Sequence, residues 1–293
     1  MNQIETIFFR ASGAGALMTN KQGTVITEVQ LARIEELLNE KLNGVNANGN
    51  KVKWEGTKKP AELEDLIAKR DAPPELSDTA KAFVRKIWLK NRKGIVKDIK
   101  SKYLDKGTFN EEEAITLISE VDGIFYTKNE ERRYNEDYEG ECDVFKDLTH
   151  KKVVHDTKCS WDAETFMSAK PSIDNEYQGR IYMELWDADE FHLRFCLVDC
   201  PDHLVQKEKE FAWRKYYSEL MSEEEQANLE TMMQPIYEQI DRNLVYSNNE
   251  RFTKEERVKT FTFYRDASKM AEMAERVKMA REYYASITLN GTN

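Results

Sequence analysis

Cysteine is scarce in this chain. Four residues, Cys142, Cys159, Cys196 and Cys200, are spread through 293 positions. That is too few for a disulfide scaffold of this length. Long apolar runs are absent as well, so no segment reads as a membrane span. The first residues, MNQIETIFFRASG, lack a charged start followed by a long apolar stretch, so they do not read as a signal peptide. The expected location is the cytoplasm, without membrane attachment. There is no internal repeat, which argues against a solenoid. Positive charge is in deficit: the formal net charge is −10. A surface uniformly adapted to a polyanion is therefore not expected.

Other features are well represented. Hydrophobic residues make up 40% of the chain and charged residues 33%, with 13 Phe, 13 Tyr and 5 Trp. A disordered chain does not carry that many aromatics. The cations are also unevenly placed. From Lys81 to Lys106 there are ten Lys and Arg against Asp98 and Asp105. Lys86, Lys90, Lys93, Lys97 and Lys100 fall at four- and three-residue steps, which places them on one helix face. Such a face holds phosphates, or is simply solvated.

Local signals predict a helix over 28–42, a loop over 43–59 and a short helix entered at Pro60. Pro73-Pro74 breaks that helix. A basic helix capped by Ser77 or Asp78 is predicted to reach about Tyr103. Another begins near Asn110. Strands are predicted at Ile124–Tyr126, around Cys142–Phe145 and at Lys152–Cys159. A helix follows over 174–185, then a strand over Phe191–Val198. Beyond Pro201 the pattern reads as helical, near 204–220, 223–245 and 265–286. This order implies an α/β core with a central mixed sheet.

The chemistry concentrates in Gly140-Glu141-Cys142-Asp143 and His155-Asp156-Thr157-Lys158-Cys159. Alternation on a strand turns Asp156 and Lys158 to one side, and His155, Thr157 and Cys159 to the other. A charged pair on a core strand needs a reason, because buried charge is costly unless paired or bound to metal. Phosphodiester hydrolysis supplies one. Two carboxylates, Asp143 and Asp156, suit Mg²⁺, and a neighbouring Lys orients water and offsets charge on phosphate.

The pattern G-x-x-D followed by D-x-K resembles the PD-(D/E)XK nucleases, here Gly140, Asp143, Asp156 and Lys158. Gly107 and Glu111 are similar to the upstream G-x-x-x-E of members related to lambda exonuclease. Glu112 and Glu113 stand beside Glu111, so the acid is one of three. Gln178-Gly179-Arg180-Ile181-Tyr182 resembles their downstream Q-x-x-x-Y. Cys142 stands where the family usually has proline. Further segments are similar to nucleases of crAss-like tailed phages: Phe9-Arg10-Ala11-Ser12, Asp156 to Trp161, Tyr177 to Met183, Glu256 to Lys259 and Arg281 to Tyr284. The loop at 43–60 matches poorly.

The resemblance implies a restriction-endonuclease-like α/β core at 106–200. An N-terminal helical region would span 1–105 and a C-terminal one 201–293. It implies metal ligation by Asp143, Asp156, the Thr157 carbonyl and Glu111, with Mg²⁺ expected and Mn²⁺ as a substitute. Lys158 would position water, and Gln178 would support the site. Arg10, Ser12, Lys86, Lys90, Lys93 and Tyr182 are the expected DNA contacts. The implied activity is that of a phage DNA exonuclease in recombination or replication. A single-strand annealing protein is an implied partner, and a homo-oligomer is an implied state. The alternative is a DNA-binding protein that keeps the fold without cutting. The cysteines read as core packing, His155 as a packed or exposed imidazole rather than a ligand, and Trp161 and Trp186 as core or surface anchors.

Overall fold

The computed structural model describes residues 7–20, 26–73, 75–97, 101–218, 221–247 and 251–292. Its first elements are a two-residue strand, β1 (Phe9–Arg10), and one helical turn, α1 (Ala11–Ala14). Helix α2 (Glu28–Asn43) starts at a capping box in which Thr27 and Gln30 exchange side-chain and main-chain bonds. It stops at Gly44, where φ is +69°. Helix α3 (Lys59–Asp71) carries Pro60 in its first turn. Helix α4 (Asp78–Lys93) is capped by the Ser77 hydroxyl, which accepts from the Ala80 N–H. Pro74 lies outside the described residues.

The basic helix is shorter than its sequence predicts. Gly94 adopts φ +65° and its N–H closes on α4 carbonyls, so the helix ends at Lys93 and not near Tyr103. Lys97 therefore leaves the lysine face, and Lys100 lies outside the described residues. Helix α5 (Lys102–Asp122) begins earlier than expected, at a Ser101 cap. Lys106 is not a surface cation. Its side chain is buried, and Nζ donates to the carbonyls of Trp161 and Val198 at 3.0 and 2.9 Å. Burial pulls its pKa below the usual lysine value.

Ile124–Tyr126 is not a strand. Gly123 ends α5 with φ +63°. The Ile124 N–H then goes back to the Ser119 carbonyl, and the Tyr126 N–H to the Ser119 hydroxyl. Donors spent on a helix end are lost to a sheet ladder. Two short strands follow, β2 (Arg133–Tyr134) and β3 (Tyr138–Gly140); β3 pairs with β1 in parallel and with β2 antiparallel.

The main sheet begins with β4 (Val144–Leu148) and β5 (Lys151–Cys159), a hairpin closed by Thr149 and His150. Helices α6 (Ala163–Ser168) and α7 (Ile173–Trp186) then carry the chain over to β6 (Glu190–Cys196), which lies parallel to β5. Parallel pairing demands such a crossover. Helices α8 (Asp202–Arg214) and α9 (Glu223–Leu244) precede β7 (Val258–Tyr264), which closes the order β4-β5-β6-β7. Strand β7 lies in the gap between the helices predicted at 223–245 and 265–286, where the sequence pattern predicts no element. Its sequence Val-Lys-Thr-Phe-Thr-Phe-Tyr nevertheless alternates and is rich in strand formers. Helix α10 (Ala267–Ser286) completes the helices. The result is a mixed α/β core with helical additions.

Contacts divide the chain into two units. The first comprises 1–15 and 95–271; the second, 16–94 and 272–293. These are non-consecutive segments, unlike the three successive regions at 1–105, 106–200 and 201–293 expected from sequence. In the second unit α2 and α3 bury Ile34, Leu37 and Leu63 together. In the first, α5 covers one sheet face with Ala114, Ile115, Leu117 and Ile118 against Val144 and Cys196. Helix α7 covers the other. Gly179 allows a very close seat there, since a Cβ at that position would stand 1.8 to 2.3 Å from the Phe191 ring. No helix among the described residues is long and apolar enough to cross a membrane.

Gly179→Ala is expected to lift α7 from β6 and destabilise the fold by about 3 kcal/mol. A urea midpoint shift in purified protein reads this directly. An unchanged midpoint would mean that the helix is not held against Phe191.

Candidate active site

A turn of two residues fixes the β4–β5 register, with Val144 opposite His155 and Leu148 opposite Lys151. The register ends at Val144, and Asp143 lies in a bend just before the strand, although its sequence reads as part of it. Its N–H donates at 3.1 Å to the carbonyl of His155, the residue that Val144 already faces, so the two consecutive residues share one partner as in a β-bulge. This bend turns Asp143 toward β5, where the charge of Asp156 acts on it, and like charges held close in a buried site repel. Thirteen residues of sequence are thus folded into a carboxylate pair.

Asp143 also completes the sheet edge. Strand β5 runs on past Val144, the first residue of β4, and its Thr157 N–H would otherwise be unpaired. Asp143 Oδ2 accepts from that N–H at 2.6 Å and from the Thr157 hydroxyl at 2.8 Å. Main-chain N–H and C=O of one strand residue point the same way, so the Thr157 carbonyl faces this edge too. Burial, and then the charge of Asp156, raise the Asp143 carboxyl well above the usual range. The Thr157 bonds and Lys158 offset only part of this.

Asp156 is buried. Its Oδ1 accepts from Gln178 Nε2 at 3.0 Å, and the same amide donates to the Tyr182 hydroxyl at 2.8 Å. Gln178 and Tyr182 are one helical turn apart on α7, so a single helix face delivers both. The seat at Gly179 brings that face within reach. Asp156 Oδ2 meets Lys158 Nζ at 2.6 Å, although the angle is too oblique for a directed hydrogen bond. The Lys158 side chain remains 36% exposed. Burial pulls its pKa down, but the charges of Asp156 and Asp143 outweigh this and leave it raised.

Asp143 opens onto a cleft of about 290 Å³ lined also by Glu111, Arg10, Ser12, Arg132 and Tyr182, among others. Of the three consecutive acids on α5, Glu111 is the one lining it; its Oε2 is 3.1 Å from Lys128 Nζ. Glu113 instead accepts from Asn110. Arg10 pairs with Glu139 at 3.2 Å and Arg132 with Glu141 at 3.0 Å. Gly140 keeps the wall thin, since a Cβ there would stand 2.9 Å from the Tyr182 ring. Lys86, Lys90 and Lys93 lie on α4, in the second unit.

Sequence reasoning passed over Lys128, Asn129 and Arg132. They occupy an irregular segment with no periodicity to betray it, held where Asn129 N–H donates to the Asp143 carbonyl and Asn129 Nδ2 to that of Cys142. His155 is buried against Tyr126 and His192 on the α5 side, its pKa driven down chiefly by burial. The four cysteines are free thiols, and those of Cys142, Cys159 and Cys196 are pushed up chiefly by burial.

Among the described residues no three His, Cys, Asp or Glu side chains converge as a ready-made metal cage. What converges is two carboxylates and a main-chain carbonyl. These are hard oxygen donors, with the cleft leaving room for water, and they fit the way Mg²⁺ is bound. The poorly directed contact at the buried Asp156 Oδ2 and the repulsion within the pair are what a cation would relieve.

The architecture is that of an exonuclease-like α/β fold. It is similar to a phage-related exonuclease from Haemophilus somnus, with 23% identity, a TM-score of 0.59, and coverage of 96% of this chain and 95% of that one. An alkaline exonuclease from Laribacter hongkongensis is more distant, at 12% identity and a TM-score of 0.44 over 71% of this chain and 80% of that one. No protein-family model and no curated protein matches the sequence.

Asp143→Asn keeps an acceptor for Thr157 while removing one of two neighbouring buried charges. At pH 8 in EDTA it is expected to stabilise the protein by about 1 kcal/mol, raising Tm by roughly 2–4 °C. Millimolar Mg²⁺ should raise the Tm of the wild type but not of the variant. Equal Mg²⁺ responses would remove Asp143 from the ligand set.

Proposed function

We propose that the chain is a metal-dependent deoxyribonuclease that hydrolyses phosphodiester bonds at DNA ends. The single observation that carries this reading is the meeting of Asp143, Asp156 and Lys158 at one sheet edge, buttressed by Gln178. The similarity in fold to a phage-related exonuclease supports it.

Asp143, Asp156 and the Thr157 carbonyl would hold Mg²⁺, with Mn²⁺ as a substitute and Glu111 reaching in through water. The bound ion supplies an acidified water and a polarised phosphate. Gln178 fixes Asp156 by holding Oδ1, and Tyr182 fixes Gln178 in turn. Lys158, beside Asp156, orients the attacking water and offsets charge developing on the phosphate. Arg10, Ser12 and Arg132 line the same cleft as Asp143 and would meet the phosphates there. A role in phage recombination or replication, with an annealing protein as partner and the enzyme as a homo-oligomer, is the biological setting we propose.

Linear and closed circular DNA, incubated with Mg²⁺ or EDTA, test the proposal. The linear substrate should be degraded in Mg²⁺ alone. Lys158→Ala and Asp143→Ala should each slow this by roughly 10³-fold, and Gln178→Ala by about tenfold. Cutting of the circle as well would make the enzyme an endonuclease with the same centre. Salt-sensitive DNA binding with no cleavage in Mg²⁺ or Mn²⁺ would favour the non-cutting DNA-binding alternative, to which the net charge of −10 and the Glu111–Lys128 ion pair lend weight.

A further inference from the structure

Residues 211–217 read Phe-Ala-Trp-Arg-Lys-Tyr-Tyr, four aromatics and two cations in seven positions. They form the end of α8 and the turn after it, far along the chain from every residue placed in the cleft. The core does not require them. Helix α8 packs through Leu204 and Val205, near its start, against Trp161, Cys200 and Leu244. Phe211 is 61% exposed, Tyr216 49% and Tyr217 37%. Exposed aromatics in such density mark a binding surface rather than scattered surface apolars.

The rings are ordered, and cations attend them. Trp213 and Tyr217 stack with centroids 5.8 Å apart and planes at 23°. Lys215 Nζ lies 4.8 Å from the Phe211 ring, and Lys209 Nζ lies 5.8 Å from that of Tyr237 on α9. Between the helices is a cavity of about 370 Å³ lined by Gln206, Lys209, Glu210, Trp213, Arg214 and Tyr237. That space suits one nucleotide. Two carboxylates temper the charge: Glu210 lies 3.5 Å from Arg214, and Asp241 lies 2.7 Å from Lys209. Lys207 and Lys215 are exposed beside them.

We infer that this end of α8, with Tyr237 of α9, is a second nucleic-acid site that holds single-stranded DNA. Open ring faces stack on bases that are unpaired, whereas a duplex hides its base faces within its own stack. One base enters the cavity at Trp213 and Tyr237. Phe211, Tyr216 and Tyr217 offer platforms to its neighbours, and Arg214 and Lys215 meet the phosphates. The inference rests on and deepens the proposed function, since an enzyme that acts at DNA ends meets unpaired strands there.

Fluorescence anisotropy of a labelled 20-mer of oligo-dT, on full-length protein in EDTA, tests this without cleavage. Trp213→Ala should weaken oligo-dT binding roughly tenfold, while blunt-duplex binding and Mg²⁺-dependent cleavage stay within about twofold. Trp213→Phe keeps a ring and should bind within about threefold of the wild type, which separates stacking from misfolding. The double variant Arg214→Ala/Lys215→Ala should flatten the salt dependence. Unchanged oligo-dT affinity in Trp213→Ala overturns the site, even if nuclease activity is present. So does light scattering in which Trp213→Ala dissolves an oligomer without altering oligo-dT binding, which would assign the surface to a second copy of this chain. Absence of cleavage by the wild type bears on the nuclease reading alone, because the binding assay needs no catalysis.

Discussion

Two carboxylates held close together at one end of the sheet, Asp156 on β5 and Asp143 in the bend before β4, are the constraint around which the rest of the first unit is arranged. Left alone they repel, and burial worsens the repulsion by removing water. The fold holds them together with directed partners. Thr157 donates twice to Asp143, Gln178 donates to Asp156, and Lys158 stands against the remaining oxygen. Each partner comes from a different structural circumstance: a strand that overruns its neighbour, a helix laid on the sheet, and the alternation of a single strand.

The helix is the demanding part. For Gln178 to reach Asp156, α7 has to lie closer to the sheet than a side chain at position 179 permits, and glycine removes that obstacle. The opposite face is secured by α5, whose apolar stripe packs under β4 and β6. Within α5, Lys106 spends its charge on two carbonyls at the far ends of β5 and β6 rather than on solvent. An ammonium that looks like part of a basic surface in the sequence is therefore an internal tie between the helix and the strand exits.

Much of this was legible from local chemistry. Thr27 with Gln30 and Gly44 bracket α2 within a residue of expectation, and the β-branched run to Cys159 marks β5. The order Gly140, Asp143, Asp156, Lys158, Gln178 and Tyr182 pointed to residues that the fold brings together. Other features were hidden for physical reasons. Gly94 permits either a helix or its end, and only the left-handed turn it adopts decides between them. Ile124–Tyr126 has strand composition, but its donors are drawn back to α5. Strand β7 was masked by charged helices on either side. Lys128, Asn129 and Arg132 have no pattern at all, because their positions follow from bonds to Cys142, Asp143 and Glu141.

The two-residue turn at Thr149 and His150 also bears on time. Hairpin formation across so short a turn takes on the order of microseconds, whereas the parallel pairing of β5 with β6 must wait for the whole crossover through α6 and α7. The hairpin thus brings the carboxylates near each other early, while the strand edge is still wet and water weakens their repulsion. Gln178 arrives with α7, late, and the site dries only then. Chain connectivity in this way lets a charge pair that would be costly to assemble in a finished interior be assembled first and enclosed afterwards.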